Sequence, residues 1–204
     1  MKNRFGSTNE IGVFEMTAAG LTEVENPSEI FLSEKPKDVS GSVVTAVLEG
    51  SRPLLVEVQS LVSKSGFGYA RRRAQGFDYN RMSLLVAVLE KRIGLRLETE
   101  DIFVNIAGGI KLEDPAADMA VAVAIASAFE DRVVDAQTVI LGEVGLAGEI
   151  RSVSQLALRL NELERLGFKQ CVLPRNNYKN LNSHQDTIEL MSVSSLKEAL
   201  EMVF

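Results

Sequence analysis

Apolar residues recur along this chain with two periods, and each change of period marks an element. Residues 10–16 are extended, and after the turn at Ala19-Gly20 a second short extended piece opens at Leu21. Asn26-Pro27-Ser28 predicts a brief helix, because proline presets φ for a first turn that needs no donor. Two β-branched runs, 42–48 and 54–62, flank Glu49-Gly50-Ser51-Arg52-Pro53 and predict a hairpin with a loop of several residues. Residues 63–76, rich in Gly and Arg, read as too irregular for a core element.

Helical spacing follows. Asp78 caps a run in which Met82, Leu85, Val86, Leu89 and Ile93 share one face, and Gly94 stops it. Residues 102–106 predict a strand. Asp114-Pro115 then supplies an N-cap and first helical position for 116–129. That helix is apolar on nearly every face, apart from Asp118 and Ser127, so it belongs among other elements rather than on a surface. A strand at 138–141 precedes a helix capped by Ser154, carrying Leu156, Leu160, Leu163 and Leu166, and closed by Gly167. Residues 170–173 form a strand stopped by Pro174, 176–185 a polar loop, and 188–191 a last strand. Ser195 and Glu198 have capping-box spacing for a helix reaching Val203. No internal repeat or low-complexity segment interrupts the order. A single α+β domain with an α/β-like mixed sheet is predicted.

Composition adds bounds. The 204 residues are 46% hydrophobic and 25% charged, enough for one substantial core. No apolar run is long enough to span a bilayer, and no signal-like segment opens the chain, so a cytoplasmic location without membrane partners is expected. The single cysteine, Cys171, excludes an internal disulfide and a multi-cysteine zinc site. A net charge of −6 argues against coating nucleic acid with the whole surface, while leaving room for a local basic patch.

Candidate chemistry is sparse. Neither a G-x-x-x-x-G-K-[ST] loop nor a G-x-G-x-x-G after a strand occurs, so no P-loop nucleotide is expected. The one histidine, His184, lies in the polar loop, and Cys171 sits in an apolar strand pattern that marks it as core rather than half of a Cys–His pair. Glu113, Asp114 and Asp118 gather near a helix start, where a divalent-ion or acid–base site competes with the plainer reading of acids complementing the helix dipole. Lys111 could serve a Ser–Lys mechanism, but no serine heads the helix after it. More informative is the stretch 58–77, which holds Lys64, Arg71, Arg72 and Arg73 and no acid. Phe67, Tyr69 and Phe77 interleave with these cations, and Gly66, Gly68 and Gly76 loosen the backbone. Guanidinium groups suit phosphate oxygens and aromatic rings stack on unpaired bases. A solvated loop, or arginines paired across a subunit interface, are the other readings.

Specific motifs carry a family resemblance. Lys2-Asn3-Arg4-Phe5-Gly6 resembles the KNRFG motif of the RadA/Sms family, and Thr8-Asn9-Glu10-Ile11-Gly12 continues it. Arg52-Pro53-Leu54-Leu55-Val56-Glu57 and the block from Gly142 through Gly145 and Gly148 to Arg151 extend the likeness along the chain. The chain is similar to the C-terminal Lon-protease-like domain of that family. The resemblance implies a Lon C-terminal-domain-like fold over 10–204, preceded by a motif segment at 1–9. Lon proteases place their nucleophile in D-G-P-S-A-G, which resembles Glu113-Asp114-Pro115-Ala116-Ala117-Asp118 here. Their lysine lies in G-G-L-K-E-K, resembling Ser154-Gln155-Leu156-Ala157-Leu158-Arg159. Ala116 and Ala157 thus stand at both dyad positions, which implies no proteolysis by that site.

The resemblance also implies a parent with a four-cysteine zinc finger and a RecA-like ATPase. ATP, Mg and zinc would belong to that part and no cofactor to this chain, so Met1 is expected to begin an engineered fragment. Such a parent resembles a hexameric motor acting on DNA branches in recombinational repair alongside recombination proteins of the RecA type. Lys2, Asn3, Arg4, Phe5 and Gly6 would couple ATP and DNA binding between subunits, and the Lon-like domain would scaffold the ring and contact DNA. The alternatives are an oligomerisation scaffold without DNA contact, and a Ser–Lys peptidase with a relocated dyad that uses Lys111.

Overall fold

The two β-branched runs pair as the middle of a mixed sheet in a computed structural model, which describes residues 14–17, 20–24, 27–33, 35, 38–66, 69–181 and 187–204. The motif Lys2-Asn3-Arg4-Phe5-Gly6, the 1–9 division, residues 10–13 and His184 lie outside the described residues. Strands β1 (Phe14–Thr17) and β2 (Gly20–Glu23) make a short antiparallel ribbon, followed by helix α1 (Pro27–Leu32). Strands β3 (Ser42–Glu49) and β4 (Arg52–Lys64) are antiparallel. Glu49 pairs with Arg52, so the turn is only Gly50-Ser51, with Gly50 at φ 62°, shorter than the loop expected. Pro53 lies inside β4. It alternates with Leu55, whose N–H leaves the sheet for Ser28 Oγ at 3.1 Å, so the missing proline donor interrupts no ladder bond.

Beyond the hairpin come β5 (Arg72–Gln75), α2 (Tyr79–Val88), β6 (Glu100–Ile106), α3 (Asp118–Glu130) and β7 (Thr138–Ile140). The two-residue strands β8 (Glu143–Val144) and β9 (Ile150–Arg151) form a small hairpin. Then follow α4 (Leu156–Arg165), β10 (Gln170–Pro174), α5 (Arg175–Lys179), β11 (Glu189–Val193) and α6 (Leu196–Val203). Among the described residues the main sheet has seven strands in the order β11-β10-β7-β3-β4-β6-β5. β4 is antiparallel to both neighbours and every other pair is parallel. The predicted α+β class with a mixed sheet is what the chain adopts.

Period-two alternation assigns each strand residue to one of two faces. On the first face Val43, Val47, Val56, Val58, Ile102 and Val104 pack with α2, α3 and α6. Helix α3 is buried from Asp118 through Ser127, as its all-round apolar character requires. On the second face Val44, Ala46, Leu55, Val139 and Cys171 meet Leu156, Leu160 and Leu163 of α4. This cover stops at β4. Further out, among the described residues, the second face of β4, β6 and β5 carries mostly exposed and half-exposed side chains around the buried Asp101.

Several local signals behave as read. Asp78 accepts from Arg81 N, Ser195 from Glu198 N, and Gly94 ends a π-helical continuation of α2 at φ 92°. Three differ. Residues 63–76 hold the end of β4 and all of β5, and 176–185 opens inside α5. Ser154 does not cap α4, because Gln155 takes the left-handed position before it at φ 50° and no side chain caps the helix.

Candidate nucleic-acid interface

β5 exists because of partners distant in sequence. Asp101 is buried, and it receives Arg71 N at 2.7 Å and Arg71 Nε at 2.8 Å, with Arg71 Nη2 also bonded to it. These bonds hold the Asp101 carboxyl below the usual carboxylate range, and the same pairing raises the Arg71 guanidinium. Ile102 N then donates to Arg71 O at 2.8 Å, and β5 runs parallel to β6 with Arg73 opposite Phe103. Arg71, Arg73 and Gln75 therefore share the second face with Asp101, Phe103 and Asn105, and with Ser63, Leu61 and Gln59 of β4.

The four cations singled out in the sequence consequently divide. Arg71 and Arg73 stand together on the uncovered face. Arg72 points to the opposite face, half-buried, with Nη2 3.4 Å from Glu90 Oε1 and from Leu97 O. Lys64 is exposed but alternates with Val62 opposite Glu100, on the side of Arg72. Arg73 makes no ion pair among the described residues. The aromatics divide too. Tyr69 is 88% exposed beside Arg71, Phe77 is core beneath Arg81 at 5.2 Å, and Phe67 lies outside the described residues. Leu61, Phe103 and Asn105 share this face without being singled out by charge. The alternation Ile102-Phe103-Val104-Asn105-Ile106 puts Phe103 and Asn105 off the core face.

The three carboxylates at the head of α3 do not converge, because each meets its own cation. Glu113 bonds exposed Lys111 at 2.8 Å, and its carboxyl is lowered by that bond. Asp114 accepts from Ala116 N at 3.0 Å and Leu48 N at 2.9 Å and pairs with Arg159 at 2.7 Å. Asp118 pairs with Arg81 at 2.5 Å. No group of three His, Cys, Asp or Glu that could hold a metal occurs among the described residues. Lys111 is raised by Glu113, opposite to what a general-base lysine needs. Cys171 is fully buried, which pushes its thiol up and disfavours the thiolate. Ala116 is buried in a cleft of about 220 Å³ lined by Asp114, Pro115, Glu143 and Ser152 to Ser154, and Ala157 is exposed on α4.

Burial pushes the Asp118 carboxyl from its ordinary 3.8 to about 6, against the lowering effect of Arg81. The folded value lies above the unfolded one, so folding takes up a proton in this window. Wild type should therefore gain stability relative to Asp118→Asn as pH falls from about 6 toward 4, by on the order of 3 kcal/mol. Urea unfolding of both proteins at pH 7 and pH 4 measures this. A difference independent of pH would remove the buried carboxyl as its source.

No described helix is long and apolar enough to cross a membrane. Residues 81–177 match the family model for subunit ChlI of Mg-chelatase. The DNA repair protein RadA of Halalkalibacterium halodurans is 50% identical over 202 residues, which is 99% of this chain and 44% of that protein. Those of Listeria monocytogenes and Bacillus subtilis are each 50% identical over 98% of this chain and over 44% and 43% of their own lengths. The chain thus spans less than half the length of these relatives and matches their C-terminal part.

Proposed function

The chain belongs, as the counterpart of their C-terminal part, to the RadA family of DNA repair proteins, and on that premise we propose that it is a non-catalytic module through which a larger repair protein holds DNA. The observation that carries this reading is Arg73, without an ion pair among the described residues, on an exposed sheet face next to Arg71, in a stretch without acids on a chain of net charge −6. Arg73 on β5 and Arg71 just before that strand lie on the same side, as phosphate contacts along one backbone require. Ala116 and Ala157 supply neither nucleophile nor base, which supports the absence of a Lon-type dyad. In the whole protein a RecA-like ATPase would bring ATP and Mg and a four-cysteine finger zinc, Lys2 to Gly6 would couple the ATPase to DNA, and this part would help assemble a homo-oligomeric ring. Work on branched DNA beside RecA-type recombination proteins belongs to the same proposal. Exposed Leu84 and Leu146 around the groove at Asp118 support self-association.

The test is DNA affinity across a salt series. Arg73→Ala should lower the slope of log K against log salt by about one, the loss of one phosphate contact. Arg72→Ala should leave the slope unchanged, because that side chain turns to Glu90. Equal slopes in wild type and Arg73→Ala would take β5 out of the interface.

A further inference from the structure

We infer that the uncovered sheet face, with Tyr69 at its rim, is a stacking platform for unpaired nucleobases. The inference rests on the DNA-binding reading and goes further, from phosphate contact to contact with the bases themselves. Two cross-strand rows, Leu61–Phe103–Arg73 and Gln59–Asn105–Gln75, build the face, and Arg71, bonded to Asp101 opposite Ser63, continues it. Phe103 occupies the centre. It is half-buried, flanked on one strand by Leu61, which is 63% exposed, and on the other by Arg73. The Arg71 guanidinium lies over the Phe103 ring at 5.8 Å, fixed there by Asp101. Three strands span about 10 Å, enough to seat a base or two.

The chemistry of the rows favours a nucleic-acid strand over another protein. Leu61 and Phe103 are the apolar groups, and arginine and amide side chains surround them. Asp101, the acid of this face, is already engaged by Arg71, so the face opposes no polyanion. Aromatic and guanidinium planes stack on bases of any sequence, and amides such as Asn105, which donates to Gln59 Oε1 at 3.1 Å, offer donors and acceptors to base edges. Tyr69, two residues before Arg71 in the chain, is 88% exposed. An aromatic ring left so exposed gains nothing in water and much under a base.

The experiment compares fluorescently labelled oligothymidylate with an abasic oligonucleotide of equal length, at one salt concentration and across a salt series. Oligothymidylate is expected to bind about tenfold more tightly for each base that stacks. Tyr69→Ala, a change at an exposed side chain that spares the fold, should bring the ratio toward one without altering the salt slope. Phe103→Leu should do the same while keeping an apolar residue on the sheet. Equal binding of both oligonucleotides by wild type overturns the platform and leaves the phosphate reading standing. Binding of neither removes both readings. A Tyr69→Ala chain that loses self-association with the ratio unchanged assigns the face to a second copy instead, which also overturns the platform.

Discussion

Arg159→Met is expected to destabilise the fold by about 3–5 kcal/mol, the cost of removing one partner from a buried ion pair. The Arg159 side chain has 0% exposure and ties three elements together. It pairs with Asp114 at 2.7 Å, and donates to Ala46 O of β3 at 2.6 Å and to Ser154 O at 3.0 Å. Methionine matches much of its length and none of its donors. Two carbonyls would lose their partners, and the Asp114 carboxylate would face no cation. Because Leu48 N and Ala116 N still reach Asp114, adding Asp114→Asn should restore about 1–3 kcal/mol by removing the charge while keeping an acceptor at the helix start. Urea unfolding of the two single variants and the double variant reads all three quantities. A single variant within about 0.5 kcal/mol of wild type would mean that Arg159 is a passenger in the core.

The same network explains what the head of α3 does. Asp114 caps the turn entering the helix, anchors β3 through Leu48 N, and neutralises Arg159. These are roles in holding the fold.

Legibility followed the range of the forces involved. Helices α2, α3 and α6 were readable because their caps and apolar periods lie within a few residues of one another. β5 was not, since Arg72-Arg73-Ala74-Gln75 has one apolar residue and owes its conformation to β6 and to Asp101. The basic segment could be located from charge alone. Which arginines reach solvent depends on register with β6, where Arg73 falls opposite Phe103 and Arg72 opposite Ile102. Arg159 looked like a polar position on an amphipathic helix, and only its distant partner Asp114 reveals it as core. The Asp118 carboxyl was visible as a helix-start acid, but its burial against Arg81 came from packing of α2 on α3.

Gly76→Ala should cost about 2–4 kcal/mol, through left-handed strain and overpacking acting together. Gly76 follows β5 at φ +75°, and a methyl group there would sit 2.5 Å from Ile110 O and 2.8 Å from Ile106 Cβ. Its carbonyl also accepts from Leu112 N at 2.7 Å, so the chain cannot swing away without breaking that bond. Gly94→Ala is the matched control. Its φ is +92° with nothing within 4 Å of the added methyl, so only the backbone term of about 1 kcal/mol applies. The larger loss at Gly76 should come with weaker DNA binding, because relief of the clash moves β5 away from the end of β6 and carries Arg73 out of line with Phe103. Chemical unfolding and oligonucleotide affinity, measured on both variants, separate these effects. Equal stability losses at the two glycines would show that the packing around Gly76 yields, and that β5 is held by Asp101 alone.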